Sequence, residues 1–194
     1  DRYGKLKRTY EALTTPIEET KDEITHLESI ATALDIAVSE DDLVQIKEEL
    51  IEFGYIRKKR GDKKAKIKSK PFHYISSDGF HMYVGKNNFQ NDELSFKFAN
   101  GKDMWFHAKK MAGSHVIVKL GTVNELPDRT YEEAARLAAH YSKGKNAPKV
   151  EVDYTERRNL KKPPQAKPGY VIYHTNYSML IDPDISGIKE SSNL

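Results

Sequence analysis

Tyr3, Leu6, Tyr10, Leu13, Ile17, Thr20, Ile24, Leu27, Ala31, Leu34 and Val38 follow one another at alternating spacings of three and four residues. No other feature restricts the fold so tightly. A strand puts every second residue on one face, so this rhythm fits only a helix, and the strict repeat keeps one seam toward a partner for about five heptads. Thr20 is its one polar member. Pro16 lies inside the run, and Thr15-Pro16-Ile17-Glu18 has the form of an N-cap, a proline at the first helical position and a glutamate at the third. The sequence therefore predicts a kink or restart there, with the seam kept in phase. A single helix cannot bury its own stripe. It needs a second arm or another copy of the chain, and self-association through the arm is expected. An amphipathic helix lying on a globular body would use the same residue types, but the unbroken phase favours a coiled coil.

Ser39-Glu40-Asp41-Asp42 starts a second helix, whose acidic first turn suits the helix dipole. Leu43, Ile46, Leu50 and Phe53 form its apolar face, and Gly54 is placed to end it.

Charge divides the chain at two points. The net charge of +3 is unevenly spread. Residues 1–56 hold six Lys/Arg against fourteen Asp/Glu, whereas residues 57–70 hold nine against one. Residues 71–194 are nearly balanced, with seventeen against fourteen. Three parts result: a helical arm at 1–56, a basic linker at 57–70 and a folded domain at 71–194. The linker, RKKRGDKKAKIKSK, repels itself and is expected to be extended. It reads either as a solvated tether or as an arm in which Arg57, Lys58, Lys59, Arg60, Lys63 and Lys64 contact phosphates by releasing counterions. A cell-envelope polyanion would satisfy the same charges.

The absence of cysteine excludes disulfides, thiol nucleophiles and thiolate metal sites, and fits a reducing compartment. No apolar run approaches the roughly 18 residues of a membrane span, so no membrane insertion is expected. The chain starts at Asp1 rather than Met, which reads as a portion of a longer protein.

From Pro71 the pattern turns to strands with helices between them. Phe72–Ser76 and Phe80–Val84 flank Ser77-Asp78-Gly79, a hairpin signal. Asn88 or Asn91 is placed to cap a helix reaching Phe98. Strands are expected at 103–108, 114–120, 150–154, 170–173 and 178–181. Thr130 is placed to cap a helix over 131–143, with Glu133 closing a capping box. The fold class is α+β, a mainly antiparallel sheet with packed helices, preceded by an α-helical coiled-coil arm.

The stretch 85–119 concentrates chemistry. Strand alternation puts Asp103, Trp105 and His107 on one face. A metal site drawing on His73, His81, His107, His115 or His174 lacks helical spacing or a recognisable motif. Ser114 and His115 are adjacent, and neighbours on a strand face opposite ways, which disfavours a nucleophile–base pair. No catalytic residue, metal or cofactor is expected. Nucleic-acid binding fits better, with Trp105 or nearby tyrosines as stacking platforms, Asn and His as hydrogen-bonding groups and lysines on phosphate. Trp105 would serve equally well as packing, and Met104, Phe106, Val116 and Val118 read as core.

Asp78-Gly79, Val84 to Asn88, Gln90 to Asp92, Asp103 to His107 and Gly113 to Ile117 together resemble the NFACT-R domain. Tyr141 to Lys143, Val152 to Thr155, Lys161 to Pro163 and Ala166 to Gly169 continue the resemblance, which covers roughly residues 70–185. The heptad arm is similar to the returning half of that family's coiled-coil middle region. Departures are Met111-Ala112 where Ile-Pro is usual, Gln165 where Gly is common and Met179 where Thr is frequent.

The resemblance implies an RNA-binding module of a ribosome-associated quality-control factor, cytoplasmic, with tRNA and the 50S subunit as partners. Its RNA-facing residues would be Lys86, Asn87, Asn88, Asn91, Asp103, Trp105, His107, Ser114, His115, Arg157, Lys161 and Lys162. The family's N-terminal domain and helix-hairpin-helix region are not in this sequence, so tailing of nascent chains is not expected of it alone. Some members are also described as fibronectin-binding proteins found at the cell surface without a signal peptide. Fibronectin is therefore the alternative partner, although no anchor or signal motif supports it.

Overall fold

The computed structural model describes residues 2–191. Helix α1 spans Arg2–Ile36 and α2 spans Glu40–Glu52, capped by Ser39, whose hydroxyl accepts from the Asp42 amide. The domain comprises β1 (Phe72–Ile75), β2 (His81–Val84), α3 (Asn88–Glu93), a π-helical turn (Leu94–Phe98), β3 (Met104–Ala108), β4 (Val116–Val118), α4 (Asp128–His140), β5 (Val150–Glu156), a 3-10 turn (Arg157–Asn159), β6 (Tyr177–Ile181) and β7 (Lys189–Glu190). The strands form one antiparallel sheet in the order β6-β5-β3-β4-β2-β1-β7. The fold is α+β, as the sequence indicates.

Strand alternation sorts the sheet into two faces. One carries Phe72, Tyr74, Met82, Val84, Met104, Phe106, Val116, Val118, Val150 and Val152 against α4. Ala134, Ala135, Ala138 and Ala139 let that helix sit close, and Leu137 fills the space they leave. The other face carries Trp105 and Ile117, covered by Leu94 from the π turn and by Leu160, with Val171 and Tyr173 at the margin. The domain is thus a sheet between two layers, one helical and one largely irregular.

Several boundaries differ from expectation. Residues 170–173 form no strand: one isolated bridge, Lys161 to Ile172, is their only pairing. Asn87, not Asn88 or Asn91, caps α3, accepting from the Gln90 amide at 3.0 Å. Helix α4 begins at Asp128, two residues before Thr130, and ends at His140. Thr130 and Glu133 do not form a capping box. Thr130 donates to Asp78 at 2.8 Å and Glu133 accepts the Ser77 amide at 2.9 Å, so both clamp the β1–β2 turn onto α4. The short β7, pairing with β1, carries no strand signal in the sequence.

The arm differs as well. Helix α1 runs through Pro16 without interruption, and Thr15 caps nothing. Its seam is exposed, with Leu6, Leu13 and Ile17 still 61%, 60% and 53% accessible. A second, shorter stripe of His26, Ile30 and Ala33 meets Ile46 and Leu50 of α2. One helix therefore has two apolar faces, and only the weaker one is used within the chain.

Candidate nucleic-acid interface

The Lys86–Asn91 segment begins where β2 ends and α3 starts. Its side chains turn away from solvent, toward the arm. Lys86 Nζ lies 3.1 Å from Asp42 Oδ1 and 4.5 Å above the centre of the Phe72 ring. Asn87 donates to Gln45 at 2.8 Å. Gln90 donates to Gln45 and to Ser69, both at 2.9 Å. Asn88 spends both amide hydrogens, on Ser29 and on Glu49, each at 2.8 Å. His26 Nε2 meets the same Glu49 oxygen at 3.2 Å, and its Nδ1 meets the Tyr55 hydroxyl at 3.1 Å. The segment is thus a polar socket into which the elbow of α1 and α2 fits.

The electrostatics of the socket come from this packing. Burial opposes ionisation of Asp42, but the Ser69 hydroxyl, the Val38 amide and Lys86 outweigh it and hold the carboxyl below its ordinary range. Glu49 goes the other way: burial raises it despite the hydrogen bonds from Asn88 and His26. Its second oxygen has no partner.

Asn91 is buried beside the socket. Its Oδ1 accepts the His115 amide at 3.0 Å. Gly85 passes so close that a Cβ there would come within 2.0 Å of that oxygen, so only glycine fits. His115 is buried too: Nδ1 meets the Ser95 hydroxyl at 2.8 Å and Nε2 meets the Gly169 carbonyl at 3.1 Å. A carbonyl can only accept, so Nε2 carries the proton and Nδ1 accepts from Ser95. This neutral form agrees with the imidazole being held well below its ordinary pKa, first by burial and then by His107. Ser114 is buried with its hydroxyl unpartnered, and Ser95 is wholly enclosed. Neither serine reaches solvent, so neither offers a nucleophile to a substrate.

Trp105 and His107 do share a face, with ring centroids 5.6 Å apart and planes 14° from parallel. That face is covered. Trp105 is 0% exposed, so packing claims both sides of its ring and no base can stack on it. Burial pushes His107 down to about 4. Asp103 is buried where its carboxylate accepts the amides of Asn100 and Leu120 at 2.8 and 3.0 Å and pairs with Lys119. It closes a turn rather than facing a ligand.

The cationic positions divide differently. Arg157 donates to the Ser95 carbonyl at 2.8 Å, and Lys162 pairs with Asp92. Lys161 is exposed, as are Arg57, Lys58, Lys59, Arg60, Lys63 and Lys64. Of the residues singled out from sequence, then, the accessible ones are the linker cations, Lys161 and Lys162, while Lys86, His107 and Arg157 are half-buried. The socket partners Ser29, His26, Asp42, Gln45, Glu49 and Ser69 carry no motif of their own. The one legible hint is that Glu49 and Gln45 fall between the apolar positions of α2. Among the described residues, no three His, Asp or Glu side chains converge to hold a metal ion, and no helix is long and apolar enough to cross a membrane.

Comparison with known proteins gives matches along the chain. The family profile described as the NFACT protein RNA binding domain matches residues 70–175, and that of the NFACT N-terminal and middle domains matches residues 1–69. A protein of Streptococcus pneumoniae serotype 2 named Rqc2 homolog RqcH is 43% identical over 98% of this chain and 34% of its own length. The protein of that name from Bacillus subtilis is 37% identical over 94% of this chain and 32% of its own. A solved structure described as the C-terminal part of the fibronectin/fibrinogen-binding protein from Streptococcus suis superposes with a TM-score of 0.87. It is 41% identical and covers 97% of this chain and 76% of its own. The chain thus spans about a third of the length of the curated relatives it matches.

Proposed function

The chain belongs to the NFACT family, and from that premise we propose that it is the RNA-binding portion of a ribosome-associated quality-control factor that contacts tRNA and the 50S subunit in the cytoplasm. One observation carries the reading: the match to the family's RNA-binding domain over residues 70–175 is preceded by an exposed stretch with nine cations in fourteen residues. Backbone contacts need only accessible cations, and these are accessible. The socket supports the same reading indirectly. It holds the arm at a set angle to the domain, which two binding elements acting on one large particle require. The role proposed for this chain is binding.

Anisotropy of labelled tRNA, and co-sedimentation with 50S subunits, test it. Binding should weaken steeply between 50 and 200 mM salt. A chain that binds neither RNA nor subunits at low salt would sink the proposal. Immobilised fibronectin is the second arm of the experiment. Binding there that a heparin-like polyanion abolishes reflects charge attraction, whereas binding that survives it would favour the adhesin role over the RNA role.

A further inference from the structure

Residues 157–181 carry a second concentration of positive charge. They include Arg157, Arg158, Lys161, Lys162 and Lys167 and no Asp or Glu. The first part of this run is the irregular layer over Trp105, and it is held rigidly. Lys161 and Ile172 exchange both backbone hydrogen bonds at 2.9 Å. Lys167 to Tyr170 forms a tight turn, with Gly169 at φ 83 and the Tyr170 amide on the Lys167 carbonyl at 3.2 Å. The Gly169 amide donates to Asp92 at 2.8 Å, and its carbonyl accepts from His115 at 3.1 Å. The turn is thus bolted to α3 and to the residue that precedes β4.

Alternation about the Lys161–Ile172 bridge gives this layer two sides. Leu160, Val171 and Tyr173 pack inward with Trp105 and Ile117, which leaves Lys161 and Tyr170 for the outer side. Tyr170 is 54% exposed, and among the described residues no ring packs on it and its hydroxyl has no partner. Lys161 is exposed, and its ammonium has no acidic partner among those residues. Neighbouring charges are already matched: Lys162 with Asp92, Lys97 with Glu93 and Arg158 with Glu156. Arg157 donates through Nε to the Ser95 carbonyl and lies 5.3 Å from the centre of the Phe96 ring, while its two terminal nitrogens have no acceptor among the described residues. Lys162 joins these parts. Its ammonium reaches the Lys167 carbonyl at 3.1 Å and lies 5.8 Å from the same Phe96 ring. One open ring and two uncommitted cations thus belong to a single rigid strip.

We propose that the outer side of this strip binds single-stranded RNA, with a base stacked on Tyr170 and flanking phosphates on Lys161 and Arg157. This rests on the RNA-binding role proposed for the chain and adds to it the strand form and the place where a base docks. The backbone that carries the ring is already fixed, so binding orders little more of the chain. Stacking is tolerant of sequence, because every base has a flat face. Duplex RNA keeps its bases within the helix, so it can meet the cations but not the ring.

The test uses the whole chain and a short fluorescein-labelled oligouridylate, with duplex RNA in parallel. The expected result is that Tyr170→Ala weakens oligouridylate binding about fivefold or more while leaving the salt slope and duplex binding unchanged. Tyr170→Phe, which keeps the flat ring, should bind within about twofold of wild type. Lys161→Ala should lower the salt slope on oligouridylate by about 0.7, and its combination with Arg157→Gln by about 1.4. Tyr170 and Lys161 are exposed, so changes there leave the core intact. Circular dichroism verifies the fold of the Arg157→Gln chain, which loses an anchor on Ser95. Equal binding by wild type and Tyr170→Ala overturns the base site, as does Tyr170→Phe binding as weakly as Tyr170→Ala. A slope that Lys161→Ala does not move overturns the phosphate site. A wild-type chain that binds duplex RNA or tRNA but not oligouridylate overturns this proposal alone. One that binds no RNA overturns the underlying RNA-binding role as well.

Discussion

Asn88 has no spare hydrogen-bonding donor. Both amide hydrogens are used across the elbow, and its Oδ1 lies beside Gly169, where a Cβ would come within 2.6 Å. Asn88→Ala leaves the buried Glu49 carboxylate with one hydrogen bond fewer and removes the bond that the Ser29 hydroxyl accepts, which keeps only its own donation to the His26 carbonyl, a loss of about 2–3 kcal/mol. Urea unfolding measures it, and faster proteolysis within 57–70 would show the arm loosened from the domain. Gln165 is a smaller case. It sits at φ 61 on the surface, where the family commonly has glycine. A side chain in this left-handed region is strained by about 1–2 kcal/mol, and glycine's freer unfolded state offsets part of the relief. Gln165→Gly should therefore stabilise by about 0.5 kcal/mol, read as a small upward shift in the urea midpoint. His107 and His115 govern the response to acid. Burial holds His107 at about 4 and His115 well below its ordinary value, whereas both titrate near 6.5 when unfolded. Between those values the unfolded chain binds more protons. Their stabilisation is therefore complete above about pH 6.5 and lost as pH falls toward 4, on the order of 3 kcal/mol for His107. Urea midpoints at pH 7 and pH 5 should separate for wild type and separate less for His107→Gln, in which His115 still contributes. An unchanged separation in that variant would show that other groups control the response.

At the scale of elements, alternation and heptad spacing were legible in the sequence because they arise from backbone geometry. That places Trp105 and His107 on one face and separates Met104 and Phe106 from them. What alternation cannot state is whether a face is covered. The layer over Trp105 comes from Leu94, Leu160 and Tyr173, which are distant in sequence and carry no shared period. The Lys86–Asn91 run was likewise legible as a cluster of polar chemistry but not as a socket. A polar side chain offers the same donors to a nucleotide as to a helix, and only the position of α2 decides between them. The stripe of α1 that meets α2 was hidden because His26 and Ala33 are weak apolar signals beside the leucines of the seam. The linker is the element whose charges remain uncommitted to packing. Replacing Lys58, Lys59, Lys63 and Lys64 with alanine should lower the salt slope of RNA binding by up to about 3 and leave the unfolding midpoint unchanged. A slope that does not move would mean that the linker is a tether and that the phosphate contacts lie on the domain.

The whole molecule ends in an arm whose outer seam is unused. Leu6, Leu13, Ile17, Ile24, Leu27 and Leu34 stay exposed along one line of α1, while the domain and α2 draw on a different face. An apolar stripe of that length, kept in contact with water, is a cost that association removes. The register is already set, because a three-four repeat presents knobs to any helix with the same period. In a solution of this chain alone, the available partner is a second copy. Sedimentation velocity across a hundredfold range of concentration should show a shift from monomer to dimer. Leu13→Asp with Leu27→Asp should hold the chain monomeric without lowering its unfolding midpoint, because both positions lie off the α2 contact. Two results would refute this. A monomer at every concentration would mean that exposure of the seam is tolerated. Dimers that persist in the double variant would place the contact elsewhere. If the dimer does form, RNA affinity compared above and below its dissociation constant separates the arm's association from the domain's binding. The socket fixes the angle between them, so the two should be independent unless the paired arms bring both linkers onto one RNA. In that case the apparent affinity would rise with dimer fraction by effective concentration rather than by any new contact.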